Sequence, residues 1–240
     1  MKEKSKSTGT PAPRISKVHG SCARRRYSIL IVLLLATVLV CVLAADCFNR
    51  NQQQSSGSAQ ASPTAIIDVP LARQATPYTC GVACVQSVLG YCGYSVRQDA
   101  LADEMGTTYA DGTAPQAIAD ALNARGLDSH IQENMTLDEL KASIDKGQPV
   151  ICAIQAWDDQ SGIDYTDVWS DGHYVVAIGY DSGRVYFMDP STLGNYAYIE
   201  DDEFLSRWHD ERDGQQLIYL GIVPTSCTQA YDSNAYVSLG

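Results

Sequence analysis

A thiol, an imidazole and a carboxylate follow one another in this chain at positions where each can be held at the edge of a folded element. The thiol is Cys80, in Gln74-Ala-Thr-Pro-Tyr-Thr-Cys80-Gly81-Val-Ala83. It stands where a loop gives way to an apolar run of helical period, Val82 to Leu89. At a helix start, the positive end of the dipole and the unpaired N–H groups favour the thiolate, which is the nucleophilic form. The imidazole is His173, in Asp171-Gly-His173-Tyr-Val-Val-Ala-Ile-Gly-Tyr180. The run after it reads as a strand buried on both faces, which leaves His173 at the rim as a general base. The carboxylate is Asp189, in Phe187-Met-Asp189-Pro190. It leaves a second strand paired to the first and can fix the imidazole tautomer. Gln74, six residues before Cys80, supplies a side-chain N–H able to curl back over an acyl oxyanion.

These segments carry a family resemblance. Val69-Pro-Leu-Ala-Arg-Gln74, Cys80-Gly-Val-Ala83, Tyr91-Cys-Gly93, Gly172-His173-Tyr-Val-Val-Ala-Ile-Gly-Tyr-Asp181 and Asp189-Pro190 resemble the double-glycine leader peptidases. That family consists of papain-like cysteine peptidases of bacteriocin exporters and of stand-alone surface domains. The resemblance spans roughly residues 67–224. It implies Cys80 as nucleophile, His173 as base, Asp189 as its orienter and Gln74 as oxyanion donor. It implies a peptide or protein substrate and no cofactor or metal. Thr79 stands where the exporter peptidases usually carry an acidic residue, so their leader specificity does not transfer. Two further readings use the same residues: acyl transfer between peptides, and a degenerate domain that only binds peptides or cell-wall material.

Plainer roles fit the neighbouring residues. Cys84, one helical turn past Cys80, reads as core. Asp181 sits in the turn at the far end of the hairpin from His173. His130 and His209 lack the setting of a base, and His209, after Trp208, reads as a surface residue. Trp157, Tyr165 and Trp169, with Asp158, Asp159, Asp164 and Asp167, read as an acidic solvated loop, with a cleft lining as the alternative. No Cys-x-x-Cys pair occurs and the histidines are scattered, which argues against structural zinc.

The positioning elements are legible from periodicity and punctuation. Ile66–Leu71 reads as a short entry strand or extended arm. Cys80 to Leu89 reads as a helix ended by Gly90. Further helices are expected over 97–105, 114–125 and 137–146, the last with Thr136 and Glu139 as a capping box. Strands are expected over 150–157, 173–180, 184–188, 196–199 and 217–223, with a helical turn or two over 201–208. Helices first and an antiparallel sheet afterwards give an α+β, papain-like class, with the nucleophile helix packed on the sheet.

Composition speaks to compartment. The chain carries −11 overall. Residues 1–26 contribute +7, eight Lys/Arg against Glu3, which leaves −18 for the remainder. So acidic a body argues against nucleic acid as a partner. Ser28 to Ala45 is a run of 18 uncharged, mostly apolar residues. A bilayer span needs about 17–25 such residues, and a signal-peptide core about 7–15. Length favours a single-pass anchor with Arg24–Arg26 cytoplasmic and the rest outside. Val42-Leu-Ala44 is a passable cleavage site, so a secreted form stays open. Asp46-Cys47 resembles a lipoprotein box with one residue inserted, which argues against lipidation. The expected organisation is a basic head at 1–27, an anchor or uncleaved signal at 28–45 and a Ser/Gln-rich spacer at 46–65. A papain-like domain at 66–224 and a tail at 225–240 follow. Five cysteines fall in the domain and tail, an odd number that leaves Cys80 as the natural free thiol if the others pair. Oligomeric state is not legible.

Overall fold

The computed structural model describes residues 65–156 and 163–236. The basic head, the 28–45 run and the spacer up to residue 64 lie outside them. Among the described residues, no helix is long and apolar enough to cross a membrane.

The first helix, α1, runs Cys80–Tyr91. Three of its buried positions are valines, which are indifferent helix formers. Burial compensates. Val82, Ala83, Cys84, Val85, Val88 and Leu89 are all fully buried, so tertiary packing rather than propensity holds this helix. The Cys84 thiol donates to the Tyr174 carbonyl at 3.3 Å, fastening helix to sheet. Gly90 does not end the helix. A Cβ there would stand 2.7 Å from Pro70 Cγ, so the glycine lets the N-terminal arm cross. The chain turns instead at Gly93, where φ is +89°.

Two helices flank α1: α2 (Gln98–Glu104) and α3 (Pro115–Asn123). A fourth, α4 (Leu137–Asp145), starts with the expected capping box between Thr136 and Glu139.

The sheet is antiparallel throughout. Its strands are β1 (Ala65–Ile66), β2 (Ser129–Gln132), β3 (Val150–Gln155), β4 (Gly172–Tyr180), β5 (Arg184–Met188), β6 (Ala197–Glu200) and β9 (Gly221–Pro224). The order is β2-β9-β3-β4-β5-β6, and β1 pairs with the far end of β4 opposite Gly179 and Tyr180. Every residue of β3 is buried, as is β4 from His173 to Gly179. These central strands are therefore covered on both faces, which is why their sequences run apolar without alternation. A last helix, α5 (Asp201–Arg207), leads into a separate hairpin of β7 (His209–Arg212) and β8 (Gln215–Ile218). Phe204 stacks on Trp208 at 4.7 Å and lies 5.1 Å from Phe187 on the sheet. The Trp208 indole donates to the Leu220 carbonyl at 2.9 Å. That aromatic column fixes where β7 begins.

The expected strand over 217–223 is two strands. Tyr219 adopts φ +47°, which breaks the pleat and sends β8 and β9 into different sheets. Strands β2 and β7 escaped the sequence reading because Ser-His-Ile-Gln and His-Asp-Glu-Arg are polar. β7 did carry a signal. Asp213-Gly214, both at positive φ, form a two-residue hairpin turn between Arg212 and Gln215.

Cys92 and Cys227 form a disulfide, which ties the C-terminal segment to the end of α1. The Ala230 and Tyr231 N–H groups add hydrogen bonds to the Tyr91 carbonyl. Three described cysteines remain thiols: Cys80, Cys84 and Cys152. The pairing arithmetic thus overcounted. Cys84 and Cys152 are fully buried core residues on α1 and β3.

Candidate active site

Cys80 opens α1 and is partly buried. The turn before it is closed by Thr79, whose hydroxyl accepts from the Thr76 N–H at 3.0 Å and donates to the Thr76 carbonyl at 3.1 Å. Burial pushes the thiol up. The hydrogen bond and positive charge of His173 outweigh it, with help from the backbone at Tyr174 and Gly81, and the thiol falls below its ordinary value.

His173 follows Gly172 at the start of β4 and faces Ile154 of β3 across the ladder. On its other side β5 pairs Met188 with Val176. One step past β5, that register sets Asp189 diagonally across from His173 on the same face. The ring Nε2 and Asp189 Oδ1 are 2.8 Å apart, and both side chains are almost wholly buried. With Nε2 on the carboxylate, Nδ1 is the nitrogen left for Cys80, with which His173 also shares a hydrogen bond. Burial pulls the imidazole down, but Asp189 and then Cys80 raise it to about 9. Burial likewise pushes Asp189 up, yet His173, the Thr192 hydroxyl and the Ser191 N–H bring it below the usual carboxylate range. A thiolate–imidazolium pair, oriented by a carboxylate, is the arrangement these shifts describe.

Asp189 is held on all sides. Its Oδ1 accepts from the Ser191 N–H at 2.9 Å and its Oδ2 from the Thr192 hydroxyl at 2.6 Å. The same turn reaches Gln74. The Gln74 N–H donates to the Pro190 carbonyl at 3.1 Å, and the Ser191 hydroxyl donates to Gln74 Oε1 at 3.0 Å. Gln74 Nε2 donates to the Thr76 carbonyl at 2.9 Å. One of its two hydrogens is therefore engaged there. Ser191 and Thr192 were missed in the sequence reading; hydroxyls directly after an Asp-Pro turn were the available signal.

The competing carboxylate, Asp181, is occupied elsewhere. It accepts from the Gly183 N–H at 3.0 Å and the Tyr186 hydroxyl at 2.8 Å, at the far end of the hairpin. His130 is exposed. His209 is not a surface residue. It is buried, its Nε2 donates to the Val168 carbonyl at 2.7 Å, and Trp169 lies 4.3 Å away. That contact anchors the segment before His173.

Two cavities border the site. One, about 420 Å³, is lined by Cys80, Tyr78, Trp169, Tyr174 and the β7–β8 hairpin. The other, about 390 Å³, is lined by His173, Asp189, Tyr165 and α5. Trp169 and Tyr165 thus serve as cleft linings, where a solvated loop was expected, while Asp164 and Asp167 are exposed. Residues 157–162, with Trp157, Asp158 and Asp159, lie outside the described residues. Among the described residues no His, Cys, Asp and Glu cluster is arranged to hold a metal ion.

A thiol at a helix start, facing a histidine–carboxylate pair on the edge of an antiparallel sheet, places the molecule among papain-like α+β folds with a thiol-centred site. The chain belongs to the Peptidase_C39 like family, whose model matches residues 66–216. Its fold is similar to that of a putative C39-like peptidase from Bacillus anthracis, at 19% identity and a TM-score of 0.53, covering 70% of this chain and all of that one. It is also similar to the peptidase domain of Streptococcus ComA, a bi-functional ABC transporter of a quorum-sensing pathway (19% identity, TM-score 0.48, 66% of this chain and 98% of that one). A third likeness is to a double glycine motif protease from an AMS/PCAT transporter (20% identity, TM-score 0.46, 69% of this chain and all of that one). No curated protein sequence matches the chain.

Proposed function

We propose that this protein is a membrane-anchored, extracellular cysteine peptidase. The observation that carries the reading is the continuous line Cys80–His173–Asp189, with its lowered thiol and raised imidazole. The Cys80 thiolate attacks a peptide carbonyl carbon and the carbonyl oxygen becomes an oxyanion. Collapse breaks the C–N bond as the His173 imidazolium protonates the leaving amine. A water, deprotonated by His173, then attacks the thioester and returns Cys80 as thiolate. Asp189 keeps the ring in place. The second N–H of Gln74 and a first-turn N–H of α1 are the donors for the oxyanion.

The anchor and its side of the membrane rest on the basic head, the 18-residue apolar run and the polar spacer. The Cys92–Cys227 disulfide supports the same compartment, because such bonds persist outside the reducing cytosol. The complete set of Cys80, His173, Asp189 and Gln74 speaks against a domain that only binds.

The test is selective labelling of Cys80 by iodoacetamide near neutral pH, followed by hydrolysis of a quenched fluorescent peptide library. Wild-type protein should label fast and cleave; His173→Ala should do neither. For the anchor, protease shaving of intact cells should release a soluble active domain. Full-length protein in the medium would exclude it.

A further inference from the structure

The cavity beside Cys80 contains polar groups that the peptidase mechanism leaves unused. Tyr174 lines it, is only 6% exposed, and its hydroxyl has no hydrogen-bond partner among the described residues. The hydroxyl itself is not sealed inside the protein; on a side chain otherwise almost wholly buried, it opens to the cavity, where a ligand group can meet it. Asp210 of β7 lines the same cavity. Its Oδ1 accepts from Gln155 Nε2 at 3.1 Å and from the Glu211 N–H at 2.9 Å. Its Oδ2 has no hydrogen bond among the described residues. Gly172, the residue before the base, makes room for it. A Cβ there would lie 2.5 and 2.6 Å from the two Asp210 oxygens. Asp210 is thus set against the backbone that carries His173.

The cavity's charge is one-sided. Asp111, Asp210, Glu211 and Asp213 line it against Arg212 alone. Arg212 is already committed: its Nη1 donates to the Asp111 carbonyl, and its Nε lies 3.6 Å from Asp213. Burial pushes Asp210 above the ordinary carboxylate range despite these neighbours, so local cations do not fully compensate it.

We infer that this cavity is a subsite for a lysine or arginine side chain of the peptide substrate, with Asp210 as its charge partner and Tyr174 as a hydrogen-bonding wall. The inference rests on the peptidase reading. A cation there gains a charge-assisted bond to Oδ2 and the face and hydroxyl of a buried phenol. A carboxylate side chain meets repulsion, and an aliphatic one leaves both polar groups unpaired.

The test reads occupancy without turnover. The full chain is alkylated at Cys80 with iodoacetamide in the presence of matched peptides that differ at one position, carrying lysine, arginine, norleucine or glutamate. Each residue is scanned through the sites flanking the scissile bond. Lysine and arginine peptides should protect Cys80 at concentrations about ten- to a hundredfold below the norleucine peptide, with glutamate weakest. Added salt should narrow the gap. Asp210→Asn, which keeps shape and the Gln155 contact, should bring lysine to the norleucine level. Tyr174→Phe should remove part of the advantage. Equal protection by lysine and norleucine in the wild-type chain, or a lysine advantage that survives Asp210→Asn, overturns the inference. Cleavage of these peptides without charge preference would sink the subsite and leave the peptidase. Lysine-selective protection without any cleavage would do the reverse.

Discussion

Cys80 and Cys84 are one turn apart on one helix, and the fold gives them opposite chemistry. Both are pushed up by burial. At Cys80 the imidazolium of His173 overturns that push. At Cys84 there is no such partner; the neighbouring charges of Cys80 and Asp189 add to the burial, and the thiol is held well above its ordinary value. Its proton goes to the Tyr174 carbonyl, a structural bond. Helix position alone therefore does not make a nucleophile. The start of α1 matters because β4 delivers a histidine there, while Cys84 on the next turn meets the carbonyl of the following residue, Tyr174. Asp189 and Asp181, at the two ends of the β4–β5 hairpin, repeat the lesson. Each accepts hydrogen bonds from its own turn, but only Asp189 meets an imidazole.

The largest expected effects break this contrast directly. Cys80→Ser should abolish peptide hydrolysis, because a neutral hydroxyl is a far weaker nucleophile than a paired thiolate. Cys84→Ser should leave most activity, since a hydroxyl also donates to the Tyr174 carbonyl. Comparable losses in the two variants would show that the helix interior, not the pairing with His173, sets reactivity.

The pH dependence sharpens the same point. The lowered thiol means that Cys80 alkylation should stay fast below the range where an ordinary thiol ionises, then fall as the thiolate protonates. Hydrolysis should follow that acid limb and also decline as pH rises through about 9, where His173 loses the proton it must give to the leaving amine. Alkylation needs no acid and should show no alkaline decline. His173→Ala should move the alkylation midpoint upward, toward or above the ordinary thiol value. An unmoved midpoint would remove the ion pair from the mechanism.

In the proposed mechanism Gln74 acts on the oxyanion rather than on the thiol. Gln74→Ala should therefore reduce turnover by roughly 10²–10³ while leaving the iodoacetamide rate and its pH profile intact. Turnover equal to wild type would leave the oxyanion to backbone donors alone.

How far the sequence foretold this site depends on which signals are local. The helix at Cys80, the hairpin around Asp181-Ser-Gly183 and the capping box at Thr136 follow from period and punctuation within a few residues, and the structure has them. The meeting of Cys80, His173 and Asp189 was legible because each ends or begins an element. Long-range pairings were not. β7 is four polar residues, and it is a strand because β8 and the Phe204–Trp208 column hold it there. Asp210 and His209 were invisible as site and anchor for that reason. The Cys92–Cys227 bond was equally hidden, since nothing local distinguishes those two cysteines from the buried Cys84 and Cys152. Gly90 misled because a glycine that admits a crossing chain looks the same in sequence as one that ends a helix.

The smallest expected effect tests how the two halves of the site are joined. The Ser191 hydroxyl is the side-chain link between the Asp189 turn and Gln74, 117 residues apart in sequence. Ser191→Ala removes that hydroxyl and keeps the backbone N–H that Asp189 accepts. His173 and Cys80 should then ionise as before, and the iodoacetamide profile should not move. Gln74 would lose the bond that fixes its Oε1, a neutral hydrogen bond worth about 0.5–1.5 kcal/mol. Acylation of Cys80 by p-nitrophenyl acetate, which passes through an oxyanion, should slow by about two- to tenfold. Alkylation makes no oxyanion, so the ratio of the two rates isolates the effect. Ser191→Thr should restore it, and Ser191→Ala combined with Gln74→Ala should be no slower than Gln74→Ala alone. A Ser191→Ala variant that slows alkylation and acylation equally would place the hydroxyl with the thiol–imidazole pair instead of the oxyanion donor.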